Sequence, residues 1–330
     1  MKHLLSIEDL DRSEVELIMK RAASFAEVGR REIKKVPTLR GRTVVSLFYE
    51  SSTRTSSSFE LAAKRLSADL VSIKAAGSSV DKGESLRDTI ATLNAYGPEA
   101  LIIRSPYAGA ARLVTEWTSA AVVNAGDGKH EHPSQALLDA YTLLERFSSL
   151  EGKPRTDLDG KRIWIVGDVL HSRVARSCAL CFRMLGAEVT LCGPPTLIPR
   201  NAGSALGVNV AYTLDDLEEA DVVYALRMQL ERMDESFVPS MREYAINYQI
   251  DSRRLGPRQL LMHPGPVNRG IELSPDVIDG PASLITAQVE SGLVVRMAVL
   301  YELLAGRGDP RAAGTADAEL PAPTPIGEPA

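Results

Sequence analysis

Thr43-Val44-Val45-Ser46-Leu47-Phe48, followed shortly by Ser52-Thr53-Arg54-Thr55, decides the fold. The first run is apolar and of strand length, and from Ser57 through Phe59, Leu61, Ala62 and Leu66 the spacing is helical. The tetrapeptide therefore lies where a strand stops and turns into a helix. Such a turn leaves unpaired backbone N–H groups aimed at one point, and the helix dipole adds partial positive charge there. Three hydroxyls and a guanidinium arrive at the same place. An arginine fork grips two phosphate oxygens while hydroxyls and amides take the rest, which suits a phosphate or phosphate ester held without a metal. The same residues would also serve as a plain Ser/Thr helix cap beside a surface arginine, so the choice rests on the remainder of the chain.

Around this unit strands and helices alternate. A helical pattern of Val15, Leu17, Ile18, Ala22, Phe25 and Ala26 comes first, with Asp11 and Ser13 as capping candidates. Strand-like runs follow at Val44–Phe48, Leu70–Ile73, Ala100–Ile103 and Ala121–Asn124, separated by helical patterns around 57–66, 84–95, 109–117 and 133–147. Short apolar strands alternating with helices predict a parallel α/β sheet. The polar stretch Ser148–Asp159, with Gly152 and Pro154, reads as a linker. The alternation resumes at Arg162–Val166, Glu188–Leu191, Asp221–Leu226 and Leu260–His263, a second α/β unit, and 288–305 reads as one closing helix. Beyond Gly306 the chain holds five prolines and almost no large apolar side chains, so disorder is expected there. The fold class is therefore α/β with two domains, each a parallel sheet flanked by helices. At 330 residues the chain is long enough for each to have its own core.

Composition narrows the function. Apolar residues make up 44% and charged residues 25%, and a net charge of -5 gives no overall attraction to nucleic acid or to an acidic membrane. Neither is expected as a partner. Met1–Ile7 runs into Glu8, Asp9 and Asp11 too soon for a secretory apolar core, no run approaches transmembrane length, and the cytoplasm is the expected location. Cys178-x-x-Cys181 has only Cys192 as a nearby thiol and no histidine at metal-ligand spacing, so reduced core cysteines are expected rather than a zinc or redox site.

Unusual polar residues follow the carboxyl ends of the strands. Ser52–Thr55 follow the first, Arg104 ends another and His130–His132 come soon after Asn124; in the second half Arg173 follows Val166, Arg227 and Gln229 follow Leu226, and His263-Pro264-Gly265-Pro266 end the last. Open α/β sheets bind ligands at that edge, and six such edges, three per domain, predict a site in the interdomain cleft. Arg54, Arg104, Arg173 and Arg227 would give it a positive field inside an acidic protein. His132-Pro133-Ser134-Gln135 places a histidine where a helix begins, and the dipole there favours a neutral imidazole able to donate to a carbonyl. Asp81-Lys82-Gly83-Glu84 reads as a loop able to carry Lys82 into a site. Ile165-Val166-Gly167-Asp168 lacks the G-x-G-x-x-G spacing, and no P-loop, serine elbow or H-E-x-x-H occurs, so dehydrogenase, NTPase, kinase, hydrolase and zincin readings lose their supports.

Up to about Gly306 the chain resembles the carbamoyltransferase family. Ser52-Thr53-Arg54-Thr55 is similar to its carbamoyl-phosphate motif, His132-Pro133-Ser134-Gln135 to its H-P-x-Q motif, and Arg104 to the arginine between them. Lys82-Gly83-Glu84, Arg227-Met228-Gln229 and His263-Pro264-Gly265-Pro266 resemble the aspartate-using branch; ornithine-using members carry His-Cys-Leu-Pro at the last position and a Ser-Met-Gly loop not found here. Charge points the same way, since Arg173, Arg227 and Lys82 offer cations to two carboxylates whereas ornithine would need acids. Ser56-Ser57 departs from the family, many members of which have an arginine directly after the motif.

The resemblance implies a division into a carbamoyl-phosphate-binding domain (1–148, with 288–305 packing back on it), an aspartate-binding domain (149–287) and a tail (306–330). It implies carbamoyl transfer to L-aspartate without metal or cofactor. Ser52, Thr53, Arg54 and Thr55 would hold the phosphate; Arg104, His132 and Thr55 would polarise the carbonyl; Gln135, Gly265 and Pro266 would bind the carbamoyl amine; Lys82, Arg173, Arg227 and Gln229 would bind aspartate. It further implies a homotrimer with shared active sites, Lys82 reaching a neighbour's, and leaves open a larger assembly with regulatory chains or a dihydroorotase.

Overall fold

Asp11 accepts a hydrogen bond from the Glu14 amide while the Glu14 side chain reaches back to the Asp11 amide, a capping box that starts helix α1 (Arg12–Gly29). In the computed structural model, which describes residues 1–74, 83–229 and 237–305, the chain then enters β1 (Thr43–Phe48), α2 (Thr53–Arg65), β2 (Asp69–Lys74), α3 (Leu86–Asn94), β3 (Ala100–Ser105), α4 (Ala110–Val114), β4 (Ala121–Asp127) and α5 (Pro133–Glu151). The second half contains β5 (Arg162–Val166), α6 (Arg173–Met184), β6 (Glu188–Cys192), α7 (Ala202–Leu206), β7 (Asn209–Ala211), β8 (Val222–Ala225), α8 (Met241–Tyr248), β9 (Leu260–Met262), α9 (Pro275–Ile278) and α10 (Ile285–Leu304).

The strands form two wholly parallel sheets, β2-β1-β3-β4 and β7-β6-β5-β8-β9. Within a strand, side chains alternate between two buried faces. Val44, Ile102 and Val123 point one way, while Val45, Leu47, Leu101, Ile103 and Val122 point the other and pack with Ile90 and Leu93 of α3. In each sheet the chain builds outward on one side and then crosses back, so the order reverses between β1 and β3 and again between β5 and β8. Open α/β sheets leave a crevice beyond the strand ends at such a reversal.

The two sheets share a core. Val44, Ile102 and Val123 of the first, α5, α10, and Ile163, Ile165 and Val222 of the second belong to one continuous apolar cluster. Separate cores were expected from chain length; instead only the outer faces are separate, because α5 packs on both α10 and α6 and carries apolar side chains on nearly every side. α10 lies against α1, α2 and α5. Among the described residues no helix is long and apolar enough to cross a membrane.

Some expectations need correction. Ser148–Glu151, read as linker, is the last turn of α5, which ends at Gly152 in the left-handed conformation. The closing helix begins at Ile285, a turn earlier than read. β7 was not expected, its three residues being too few to show a pattern. β2 lies where expected but is an edge strand, mostly exposed, with only Leu70 and Ile73 half-buried. Cys178, Cys181 and Cys192 are free and buried, as expected for core thiols. The segment beyond Gly306, expected to be disordered, lies outside the described residues.

Phe59 is fully buried on the underside of α2, against the shared core. Phe59→Ala is expected to lower stability by about 3–5 kcal/mol, read as a shift of the denaturant midpoint.

Candidate active site

Ser52, still extended with φ -157° and ψ 93°, caps α2, its hydroxyl accepting from the Thr55 amide at 3.4 Å. The helix therefore starts at Thr53, earlier than its apolar spacing indicated, and Thr53, Arg54 and Thr55 form its first turn. The cap and the anion cradle are the same object, since capping leaves first-turn amides pointing outward. Ser56, standing where an arginine was expected from the resemblance, donates its hydroxyl back to the Ser52 carbonyl at 2.7 Å and tightens that turn. Gly265 presses on the cradle from the loop after β9. Its φ is +66°, and a Cβ there would stand 2.7 Å from Arg54 Cζ, so only glycine allows this approach.

His132 precedes Pro133 at the start of α5, its backbone amide donating to Ser177 Oγ at 2.9 Å, and that hydroxyl donates to Glu131 at 2.9 Å. The ring is buried, with Nε2 3.4 Å from Thr55 Oγ1. Burial first, then the charges of Arg104, Arg296 and Arg173, holds its pKa well below 6.5, so it is neutral at pH 7. The helix start was expected to do this; desolvation leads instead. Arg104, the penultimate residue of β3, donates to the Ala125 carbonyl at 3.3 Å and lies 3.4 Å from Glu50 Oε2.

From the second sheet, Arg173 opens α6 behind its Ser172 cap and donates to the same Glu50 oxygen at 2.6 Å. Gly126 makes room for it, because a Cβ at its φ of +117° would lie 3.2 Å from the guanidinium carbon. Glu50 thus ties an arginine of each sheet together. Arg227 Nη2 donates to Gln229 Oε1 at 3.2 Å, and the Gln229 amide donates to Asp168 Oδ2 at 3.2 Å. Asp168 is fully buried and also accepts from the His171 amide and ring. The strand-end acid that looked like part of a dinucleotide turn is a support for Gln229.

These groups surround one cavity of about 850 Å³. Ser52, Thr53, Arg54, Thr55, Arg104, His132, Gln135, Arg173, Arg227, Gln229, Gly265 and Pro266 all line it; Lys82 lies outside the described residues. Sequence reading missed Glu50, Lys129 and Ser172, which also line it. Glu50 follows β1 just as the cradle does, but an acid runs against the charge expected of an anion site. The cavity sets a phosphate cradle beside a neutral imidazole, a hydroxyl and Arg104. That arrangement suits a phosphate ester of a carbonyl compound, with donors waiting where negative charge develops on the carbonyl oxygen.

Comparison with known proteins agrees with this chemistry. Residues 2–145 match the family model described as the aspartate/ornithine carbamoyltransferase carbamoyl-P binding domain, and 159–303 match its Asp/Orn binding domain. The aspartate carbamoyltransferase catalytic subunit of Salinispora arenicola is 54% identical over 312 residues, covering 93% of this chain and 99% of the relative. That of Thermobifida fusca is 52% identical over 322 residues, covering 94% and 100%. Among solved structures, the catalytic subunit of M. jannaschii aspartate transcarbamoylase superposes with a TM-score of 0.80 at 33% identity, covering 93% of this chain and 99% of that one. Aspartate transcarbamoylase from Trypanosoma cruzi in complex with carbamoyl phosphate superposes with a TM-score of 0.81 at 30% identity, covering 92% and 96%. With both halves matched in order and the cavity at their junction, the chain belongs to the aspartate/ornithine carbamoyltransferase family.

Proposed function

We propose that this chain is the catalytic chain of an aspartate carbamoyltransferase. The amine of L-aspartate attacks the carbonyl carbon of carbamoyl phosphate, giving N-carbamoyl-L-aspartate and phosphate, an early step of pyrimidine synthesis. The observation that carries the choice of amine is the charge around the cavity. Arg54, Arg104, Lys129, Arg173 and Arg227 line it, and the one acid among its described lining residues, Glu50, already accepts from Arg173 and lies beside Arg104. Two substrate carboxylates find cations there; among the described lining residues the side-chain ammonium of ornithine meets no acid but Glu50, which the arginines already engage.

In this reading Ser52, Thr53, Arg54 and Thr55 hold the phosphate. Arg104, His132 and Thr55 donate to the carbonyl oxygen, which becomes the oxyanion as the amine nitrogen bonds to carbon. The carbon–oxygen bond to phosphate then breaks with its electron pair leaving on the phosphate, and the proton released by the amine passes to a phosphate oxygen, so that the group departs as hydrogen phosphate. Gln135 and the backbone carbonyls of Gly265 and Pro266 accept from the carbamoyl amine. Arg173, Arg227 and Gln229, with Lys82, bind aspartate. Closure of the two halves brings these groups onto the bound carbamoyl phosphate and excludes water, so carbamoyl phosphate binds first.

The same reading divides the chain at about residue 148 into a carbamoyl-phosphate-binding part and an aspartate-binding part, with α10 returning to the first. It assembles three copies, Lys82 of one completing a neighbour's site, in the cytoplasm. Support for assembly comes from apolar side chains exposed on α2 and on the open edge strand β2, where Leu61 and Val71 are 43% and 39% exposed respectively.

The deciding experiment is release of carbamoyl-aspartate by the purified protein from carbamoyl phosphate and L-aspartate, with L-ornithine in parallel; aspartate alone is expected to react, and reaction with ornithine alone would overturn the charge assignment. Arg54→Ala is expected to weaken carbamoyl phosphate binding by about a hundredfold, the loss of a bidentate charged contact, measured by calorimetry. His132 supplies a pH prediction. Because its folded pKa is depressed, the unfolded chain binds that proton first, and stability falls as pH drops below about 6.5, at up to about 1.4 kcal/mol per pH unit. Thermal midpoints between pH 7 and 5.5 are expected to fall more steeply for the native chain than for His132→Asn.

A further inference from the structure

Asp139 lies one turn beyond Gln135 on α5 and has no solvent exposure. Four side chains from four elements donate to it. Gln135 Nε2 stands 3.0 and 3.2 Å from its two oxygens, Gln288 Nε2 of α10 is 2.7 Å from Oδ1, and Tyr224 OH of β8 and Cys178 Sγ of α6 are 2.6 and 3.4 Å from Oδ2. An ionised carboxylate only accepts, so each partner must present hydrogen to it. For Tyr224 and Cys178 this is a matter of packing. For Gln135 it has a chemical consequence, because Gln135 also lines the cavity. An amide that turns its nitrogen toward Asp139 must turn its oxygen the other way.

We infer that Asp139 is a positioning residue that fixes the Gln135 amide with its oxygen toward the bound substrate, so that the site selects a ligand bearing N–H groups beside the phosphate-linked carbonyl. The inference rests on the carbamoyl-transfer reading and adds to it the origin of discrimination between carbamoyl and acyl phosphates. With the amide reversed, its NH₂ would face the carbamoyl NH₂, donor against donor. With the oxygen outward, the carbamoyl amine is accepted, while the methyl of acetyl phosphate leaves that oxygen unpaired. A site built to hydrogen-bond a substrate group rejects the analogue lacking it far more strongly than an apolar pocket rejects a missing methylene. A carboxylate serving packing alone would be satisfied by Tyr224, Gln288 and Cys178; the extra bond to a cavity-lining amide is what such a role leaves unexplained.

Two measurements test this. In Asp139→Leu combined with Tyr224→Phe, which removes acceptor and facing donor together, calorimetric dissociation constants are compared for carbamoyl phosphate, acetyl phosphate and inorganic phosphate. The preference for carbamoyl over acetyl phosphate is expected to fall by about tenfold or more while inorganic phosphate binds as before. An unchanged preference, or equal weakening of all three ligands, would overturn the inference. If the double variant does not fold, the native protein decides. With glutamine side chains labelled with nitrogen-15 and the Gln135 signal assigned by its loss in Gln135→Met, its NH₂ should exchange with deuterium about a hundredfold more slowly than that of an exposed glutamine, as a buried, bonded group does. Exchange at the exposed rate would place the nitrogen in the cavity and sink the proposal. That measurement needs no turnover, so a protein that forms no carbamoyl-aspartate yet protects this amide would defeat the function and leave the Asp139 to Gln135 geometry standing.

Discussion

Like charges held around one cavity repel, and much of the structure is organised to withstand that repulsion. Arg54, Arg104, Lys129, Arg173 and Arg227 converge, and α2, α5 and α6 all begin at the cavity with the positive ends of their dipoles. At short range in a partly dry site such repulsion amounts to several kcal/mol. Glu50 offsets part of it by standing against Arg104 and Arg173 together. His132 avoids adding to it by staying neutral. What remains is a field that only an anionic ligand can discharge, which makes occupancy by phosphate and carboxylates stabilising to the fold as well as useful for chemistry.

The second organising constraint is topological. Each sheet reverses its order once, and the four strands that flank the reversals carry much of the lining: β1 leads to Glu50 and the cradle, β3 supplies Arg104, β5 leads to Ser172 and Arg173, and β8 leads to Arg227 and Gln229, while β4 leads to Lys129, His132 and Gln135 and β9 to Gly265 and Pro266. Of the four edge strands, β2 and β7 add none of the lining residues among those described. α5 and α10 then fix the distance between the sheets by sharing one apolar cluster with both. A site spread over two sheets needs that rigidity, because displacing a reacting group by about 1 Å lowers rates by about a hundredfold.

Much of this was legible in the sequence, for identifiable reasons. Parallel strands buried on both faces are nearly continuous apolar runs, so Val44–Phe48, Ala100–Ile103 and Arg162–Val166 stood out, and the polar residues at their ends followed from the same reading. β7 and the short helices α7 and α9 did not, since three to five residues carry no period. Glu50 and Asp139 were missed for a different reason. Their meaning lies in partners distant along the chain, Arg173 for one and Tyr224 and Gln288 for the other, and no local pattern announces a buried carboxylate that other groups surround. Ser148–Glu151 looked like a linker by composition, yet it continues a helix whose inner face was already committed to the core.

α10 has a consequence for how the protein is made. It is the last described element, yet it packs against α1, α2 and α5 and fills the core beneath the phosphate cradle. A chain leaving the ribosome would have all four strands of the first sheet long before residues 285–304 are available to cover them. The first sheet therefore waits, with apolar surface uncovered, while the whole second sheet is synthesised. At about 5–20 residues per second that interval lasts on the order of ten seconds, long enough for a holding chaperone to matter, so the half of the protein translated first is not the half that finishes folding first.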